Sequence, residues 1–360
     1  MHIPIHCPII LPMKKLDGAW AIVICALGWS LAGVFIKYVN INSFALAGFR
    51  SAFAFITIAA FSKRLPRFVI RTKNENADDN RTGKIDKKRT FYMWMAALSY
   101  AATMILFCLS NKLTYSANAV LLQYTNPLWI ILLSPVFLGE KNTRLDFISI
   151  FGVVIGMLLF FADTIFGAPL SGSSQNATQA VTQVDFADTI VLGNILALIS
   201  GLTFGFTTIF QRKQQLLAQT AQAMQATQGQ STETNTSSDA FMLAQIITAV
   251  FGLIFVFTTD DGIPDSKSLL FLVLLGVFQM GIPNITYGIG IKKVRALSAS
   301  LITMLEPLMN PIWVLIFVHE VPSIFCIIGG IIILGCILLR ELLSRQRPYF
   351  KSRIKPSSSS

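Results

Sequence analysis

The amino-acid sequence contains the same passage twice, the second copy 180 positions after the first. SANAVLLQYTNPLWIILLSPVFLGEK aligns without a gap on ALSASLITMLEPLMNPIWVLIFVHEV, so that Pro127 matches Pro307 and Glu140 matches Glu320. Two such matches at one spacing indicate an internal duplication. Each copy also contains an odd number of predicted membrane spans, so the two halves are expected to lie in opposite orientations.

The composition is that of a membrane protein. Hydrophobic residues make up 53% of the chain and charged residues 13%, and the mean hydropathy is +0.62. A helix needs about 20 apolar residues to cross a bilayer. Ten segments qualify, and they predict an all-α integral membrane protein with ten transmembrane helices in two inverted five-helix repeats. The predicted spans are 18–39, 43–61, 91–110, 116–138, 147–165, 190–211, 239–258, 268–290, 296–318 and 323–343.

The positions of Lys and Arg predict the orientation, because these residues collect on the cytoplasmic side. With the N-terminus inside, 25 of the 29 bases fall in inner segments, and both termini are predicted to be cytoplasmic. The predicted division of the chain is a tail at 1–17, a first repeat at 18–165, an external linker at 166–189, a second repeat at 190–343 and a basic tail at 344–360.

A second polar linker, at 214–238, is predicted to lie on the cytoplasmic side. It is rich in Gln, Thr, Ala and Ser. This composition favours a solvated tether that is partly helical or disordered.

Ionised side chains inside spans carry the most information about function, because an ion at mid-bilayer costs about 2.5–3.5 kcal/mol. The sequence places two there, Arg50 in the second span and Glu306 in the ninth. Glu306 directly precedes Pro307, and Thr303 and Asn310 share its helix face at i−3 and i+4. These residues predict one polar stripe at a proline-loosened position.

The fourth span repeats this stripe. In the register of the duplication, Gln123 matches Thr303 and Asn126 matches Glu306, and Asn126 again precedes a proline, Pro127. A two-fold relation between the halves would bring both stripes to the middle of the membrane. Prolines there are tolerated beside a cavity or packed protein, and we expect them to act as hinges.

The eighth and first spans supply further candidates. Gln279, Asn284 and Tyr287 lie near one face of the eighth span, with Pro283 loosening the helix among them. Trp29 of the first span matches Phe204 of the sixth, which suggests an aromatic lining of the cavity.

Structural roles compete with these functional ones. Arg50 and Glu306 could neutralise each other as an ion pair. The amides could be interhelical hydrogen-bond donors and acceptors, and the spacings G152-V-V-I-G156 and G201-L-T-F-G205 suit close helix packing or a homodimer. Glu140 is expected at a solvated helix end or in a salt bridge with Lys141.

Several functional classes are not supported. The bases, which give a net charge of +11, lie in short loops rather than on one face, so no nucleic-acid partner is expected. Neither the five cysteines nor the three histidines form a metal-site pattern. The sequence lacks the phosphate-binding pattern G-x-x-x-x-G-K-[ST], and no cofactor is expected.

The segments LGWSLAGVFIK with FALAGFR, TNPLWIILLSPVFLGE, and LITMLEPLMNPIWVLIFVHE with IIGGIIILG resemble the EamA-type transporters of the drug/metabolite transporter superfamily. The resemblance implies a ten-helix inverted-repeat carrier with a central cavity, which moves small metabolites, amino acids or drugs, often outward. It places the family's second-span arginine at Arg50 and its ninth-span Glu-Pro at Glu306 and Pro307. His319 departs from the family's usual glycine.

The expectation is therefore a secondary active transporter, an exporter in the cell (inner) membrane, that works by alternating access. Its partners would be a small-molecule solute, the lipid bilayer and protons, with Glu306 as the mid-membrane carboxylate. A channel or scaffold without coupled transport, and an intramembrane enzyme, are the alternatives. The enzyme would need a nucleophile and a base inside the spans, which the sequence does not supply.

Overall fold

The structure is a computed structural model, and it describes residues 17–31, 35, 39, 41–70, 80–114, 116–162, 186–226, 237–258, 264–318 and 324–345. The predicted tails and the 166–189 linker lie almost entirely outside the described residues, as does His319.

The described chain is helical, with a helix at each of the ten predicted spans. The helices are α1 (Gly18–Ser30), α2 (Ser43–Ser62), α3 (Asn80–Leu113), α4 (Ser116–Gln123), α5 (Asn126–Phe137), α6 (Arg144–Phe160), α7 (Phe186–Ala226), α8 (Ser237–Thr258), α9 (Ser266–Leu274), α10 (Ile282–Gly290), α11 (Ala296–Thr303), α12 (Leu305–Val318) and α13 (Ile324–Arg345), and a π-helical segment, Leu275–Gly281, joins α9 to α10.

Six helical stretches within the described residues are long and apolar enough to cross a membrane: 44–62, 83–110, 119–137, 189–223, 238–257 and 266–290. Three shorter apolar helices accompany them, at 18–30, 296–309 and 324–340. The fold is thus that of a multi-pass membrane protein. The count of ten spans stays a prediction.

Three predicted spans are interrupted near their prolines. The fourth is broken at Tyr124 and Thr125, and the ninth at Met304. In the eighth, Pro283 lacks the N–H that would bond to Gln279, and its ring crowds that residue's carbonyl, so the preceding turns are π-helical.

Each principal helix contact made by one half of the chain has an equivalent contact made by the matching helices of the other half. Helix α3 packs on α7, and its counterpart α10 packs on α1; likewise α4 and α5 pack on α7, while α11 and α12 pack on α1. The matching helices α2 and α8 pack on each other, as do α6 and α13. This pattern is what a two-fold relation between the halves would produce.

Glycines set the closest approaches between helices. A Cβ atom on Gly252 of α8 would lie 2.5 Å from the carbonyl oxygen of Phe44 and 2.6 Å from Cα of Gly48 in α2. At Gly156 of α6, a Cβ would lie 3.1 Å from the carbonyl oxygen of Gly329 in α13. Small residues allow this close backbone packing in membranes.

The other predicted glycine spacing, Gly201 and Gly205, also lies at a contact between two helices of this chain. A Cβ on Gly201 of α7 would lie 2.8 Å from the carbonyl oxygen of Gln123 in the fourth span. Contacts within the chain therefore account for both predicted glycine spacings. These spacings were the sequence evidence for a homodimer, and they no longer favour one.

The interpretation of 214–238 as a solvated tether is wrong in its first part. Helix α7 continues to Ala226, and Gln214, Gln215 and Ala218 are buried. The reason is that α3 begins at Asn80, before its predicted span, and packs along α7. Residues 227–236 of this linker lie outside the described part.

Candidate functional site

The two broken spans meet at Glu306. The Tyr124 side chain, at the break of the fourth span, lies within electrostatic range of the Glu306 carboxyl, two residues after the break of the ninth. Glu306 is partly exposed, and its helix partner Pro307 is partly exposed as well. Each break thus contributes one member of a polar contact between the two halves.

Arg50 lies within electrostatic range of Glu306, but no direct ion pair joins them among the described residues. The guanidinium donates weak bonds instead, from Nη1 to Gln279 Oε1 at 3.5 Å and from Nη2 to the Met104 sulfur at 3.9 Å. Its Nε has no hydrogen-bond partner in the described chain. Gln279 lies in the π-helical segment.

Five aromatic rings form a cluster beside these charges. Trp29 stacks on Tyr287 with centroids 5.7 Å apart and contacts Phe204 at 5.9 Å. Phe241 meets the edges of both Tyr287 and Tyr100, at 5.6 and 5.1 Å. All five rings are buried, and they bring together α1, α3, α7, α8 and α10.

Hydrogen bonds fix the two tyrosines of this aromatic cluster. The Tyr100 hydroxyl donates to Asn284 Oδ1 at 3.3 Å, and the hydroxyls of Tyr287 and Thr208 lie 2.9 Å apart. Pro283, next to Asn284, is buried against Gly28 of α1. The eighth span therefore supplies both the polar and the aromatic part of the site.

The remaining predicted residues are dispersed around this centre. Gln123 donates to the Ser200 hydroxyl at 3.3 Å, and Thr303 donates to the carbonyl of Ser300 at 2.7 Å, so both have structural bonds. Asn126 and Pro127 are fully buried at the break of the fourth span. The side chain of Asn310 lies outside what the structure describes.

Buried polar atoms without partners accompany the site. Within the described residues they include the Trp29 indole nitrogen, Nε of Arg50, Nδ2 of Asn284 and both side-chain amide atoms of Asn126. Buried polar groups are normally bonded to protein or water. These atoms are accordingly suited to bind a polar solute or ordered water.

A buried ion-pair cluster lies at the helix ends that are predicted to be cytoplasmic. It consists of Glu140, Asp146, Arg212, Arg295 and Arg340, and we call it the Asp146 cluster. Arg340 bonds Asp146 at 2.9 Å, Arg295 lies 3.4 Å from Asp146 and 3.7 Å from Glu140, and Arg212 lies 3.5 Å from Glu140. The acids come from the first half and the bases from the second.

Local backbone structure holds the two acids in place. Gly139 has φ 68°, a conformation that glycine adopts freely, and it turns the chain into Glu140. Thr143 and Asp146 form a capping box at the start of α6. Arg212 in addition donates to the carbonyls of Ile291 and Lys292, at 3.0 and 2.8 Å.

The interpretation of Glu140 as a solvated helix end is therefore wrong, because the side chain is buried against two arginines.

The surroundings of Asp146 change the pKa of its carboxyl group. Burial raises the pKa of Asp146, but the Thr143 backbone hydrogen bond and the charges of Arg295 and Arg340 outweigh it. The pKa of Asp146 is lowered below its ordinary value.

Several of these residues were not among the sequence candidates. Tyr124 had one available signal, its place directly before Thr125, Asn126 and Pro127 in the duplicated passage. Tyr100 and Phe241 lie in apolar runs that carry no signal. Asp146 could have been found from the T-x-x-D pattern at the start of α6.

Comparison with known proteins agrees with this architecture. One solved crystal structure, described only as that of a protein, matches with a TM-score of 0.66 at 16% sequence identity, covering 91% of this chain and 98% of that chain. At this identity the match shows the fold alone. No curated protein shows significant similarity to the chain.

The family comparison is more specific. The model of the EamA-like transporter family matches residues 16–162 and again residues 191–340, which correspond to the two halves of the duplication. Because these two matches cover most of the chain and both of its repeats, the protein belongs to the EamA-like transporter family and is a multi-pass membrane transporter.

Proposed function

We propose that this chain is a secondary active transporter that exports a small metabolite, amino acid or drug across the cell (inner) membrane by alternating access. Its ten spans would form two inverted repeats, with both termini in the cytoplasm. The observation that carries this proposal is the meeting of two broken helices at Glu306, with Arg50 and an aromatic cluster beside it. Carriers place their solute sites where such discontinuous helices meet.

The arrangement suits a solute with both polar and apolar parts. Trp29, Tyr287 and Phe204 offer ring faces, while Arg50 and Glu306 offer opposite charges that are not paired directly. Glu306 is the only carboxylate near the middle of a predicted span, so coupling to protons is part of the proposal. The tenth and fifth spans would serve as packing.

The Asp146 cluster supports a state that is closed towards the cytoplasm. Its five side chains join the loop before α6, the first turn of α6, α7 just after the predicted sixth span, the segment after α10 and the last part of α13. The pairs Arg64–Asp239 and Arg89–Asp86 lie on the same predicted cytoplasmic side as this cluster. Opening on that side would require these pairs to separate.

Counterflow tests the proposal. The solute is first identified by comparing metabolites of cells and medium between deletion and overexpression strains. Purified protein in proteoliposomes should then take up labelled solute faster when unlabelled solute is loaded inside. Uptake that is unaffected by internal solute would indicate a channel, and chemical conversion of the solute would indicate an enzyme.

A further inference from the structure

An apolar pocket opens beside the break of the fourth span, between the fourth and fifth spans. Its empty volume is about 580 Å³. The lining residues come from the end of α4, the start of α5, the middle of α6 and the break of the ninth span: Leu121, Leu122, Tyr124, Thr125, Pro127, Leu128, Ile150, Val153, Val154, Met157, Leu158 and Met304.

The pocket offers no side-chain hydrogen bond to a ligand. Only two lining residues carry polar side-chain groups, and neither presents polar surface to the pocket. The Thr125 hydroxyl donates to the Leu122 carbonyl at 2.7 Å, and it accepts from the Trp129 indole at 3.3 Å. The Tyr124 hydroxyl lies within electrostatic range of Glu306. With no charge and no polar surface in its lining, the pocket suits a hydrocarbon ligand.

The pocket is continuous with the outer apolar surface of the protein. Leu158 lines it and is 51% exposed, and Ile148 and Phe151 on the same helix are more exposed still. In a membrane protein, such a surface faces lipid. The break at Tyr124 and Thr125 lies near the middle of the predicted fourth span, at the depth of acyl chains rather than of headgroups.

We propose that this pocket binds one acyl chain of a membrane phospholipid, which enters sideways between α5 and α6. The acyl chain packs against Tyr124, which lines the pocket. The proposal of a lipid-binding site at this position does not depend on the proposed transport mechanism.

Photolabelling tests the site directly. The full chain is reconstituted in nanodiscs of phosphatidylcholine that carries a diazirine in the middle of one acyl chain, irradiated, digested and mapped by mass spectrometry. Val154→Trp fills the pocket, and Ile148→Trp adds the same bulk to an exposed position of the same helix outside it. We expect adducts concentrated on the pocket residues, a several-fold loss in Val154→Trp and no change in Ile148→Trp.

Folding is monitored by the melting temperature of each variant in detergent. Should Val154→Trp fold poorly, Leu158→Trp at the mouth of the pocket replaces it. Adducts spread evenly over the exposed face of α6, or pocket labelling unchanged by both pocket variants, would overturn the proposal. Loss of labelling on addition of the lipophilic cation tetraphenylphosphonium would assign the pocket to the apolar part of a solute and would also overturn it.

Discussion

Trp29 and Phe204 hold matching positions in the two halves of the chain, and their rings contact each other with centroids 5.9 Å apart. Residues related by a two-fold axis touch only where they lie close to that axis. If the halves are related by a two-fold axis, as the duplication predicts, this contact places the aromatic cluster near that axis, where α1 and α7 also pack against the broken spans.

The first prediction concerns Trp29. Trp29→Phe keeps a ring on Tyr287 and should retain most of the transport, whereas Trp29→Ala removes the ring and should weaken solute binding. An aromatic pair contributes about 0.5–1.5 kcal/mol beyond the area it buries, so we expect KM to rise roughly tenfold at most. Initial transport rates over a range of solute concentrations measure this change. An unchanged KM in Trp29→Ala would remove the ring from the solute site.

Arg50 gives a second prediction. Because its bonds to Gln279 and Met104 are weak and its Nε has no partner in the described chain, we expect it to bind an anionic group of the solute. Arg50→Gln should lower transport by about tenfold or more, with little change in melting temperature. Arg50→Lys should also transport poorly, since an ammonium does not reproduce the planar guanidinium.

The control for Arg50 is Lys267→Gln, which removes an exposed charge at a helix start. A large drop in the melting temperature of Arg50→Gln, with normal transport by the protein that remains, would show a structural role instead. Normal transport together with normal stability would exclude Arg50 from the site.

The location of the apolar helices was predictable, while the arrangement at the ends predicted to be cytoplasmic was not. Continuous apolar runs specify where helices cross a bilayer, and the prolines at 127, 283 and 307 marked the three interrupted spans. Helices α3 and α7 run beyond their apolar runs, because their polar extensions pack on each other, and hydropathy does not register that contact.

Some residues of the candidate site could be identified from the sequence, and others could not. Glu306 and Arg50 were identifiable because charges inside spans are costly. Tyr124 was harder to identify, because its one signal, the place before Thr125, Asn126 and Pro127, does not reveal what its side chain approaches. The Asp146 cluster joins residues between 140 and 340, and only the folded chain brings these distant positions together.

A third prediction concerns opening towards the cytoplasm. Arg212 ties Glu140 to the carbonyls of Ile291 and Lys292, so Arg212→Gln should separate these elements more often. A cysteine placed at the buried Gln215, in a background lacking other cysteines, should then react faster with a maleimide added to inside-out vesicles.

The neighbouring Lys213→Gln is the matched control for Arg212→Gln. It removes a charge of the same sign from the neighbouring position of α7. Labelling of Gln215→Cys at the same rate in the Arg212→Gln protein and in the parent would contradict a gating role for the cluster.

Asp146 gives a prediction for pH. Its pKa is lowered in the folded protein, so its charge stabilises the fold above the unfolded pKa of about 3.9, and this stabilisation is lost as the pH falls through the folded value. Asp146→Asn leaves Arg340 buried without its carboxylate, which should cost about 3–5 kcal/mol.

Melting temperatures in detergent between pH 3 and pH 7 measure this effect. The parent protein should lose stability below about pH 4, and Asp146→Asn should be less stable at neutral pH and lose less on acidification. Arg144→Gln, which changes an exposed charge on the same helical turn, should behave like the parent. Parallel pH profiles for the parent and Asp146→Asn would contradict the assignment.

The central claim is that Glu306 is the coupling group of an alternating-access transporter. Glu306→Gln keeps the size of the side chain and its capacity to form hydrogen bonds, but it cannot change charge. If Glu306 instead serves only to neutralise Arg50, this variant leaves a buried arginine without its counter-charge, which should cost about 3–5 kcal/mol and appear as lost protein.

The most direct measurement is transport by Glu306→Gln proteoliposomes at several external pH values, with the melting temperature recorded on the same preparation. We predict folded protein in which proton-coupled transport is abolished, or in which transport no longer depends on pH. Full activity with the pH dependence of the parent protein would contradict the account.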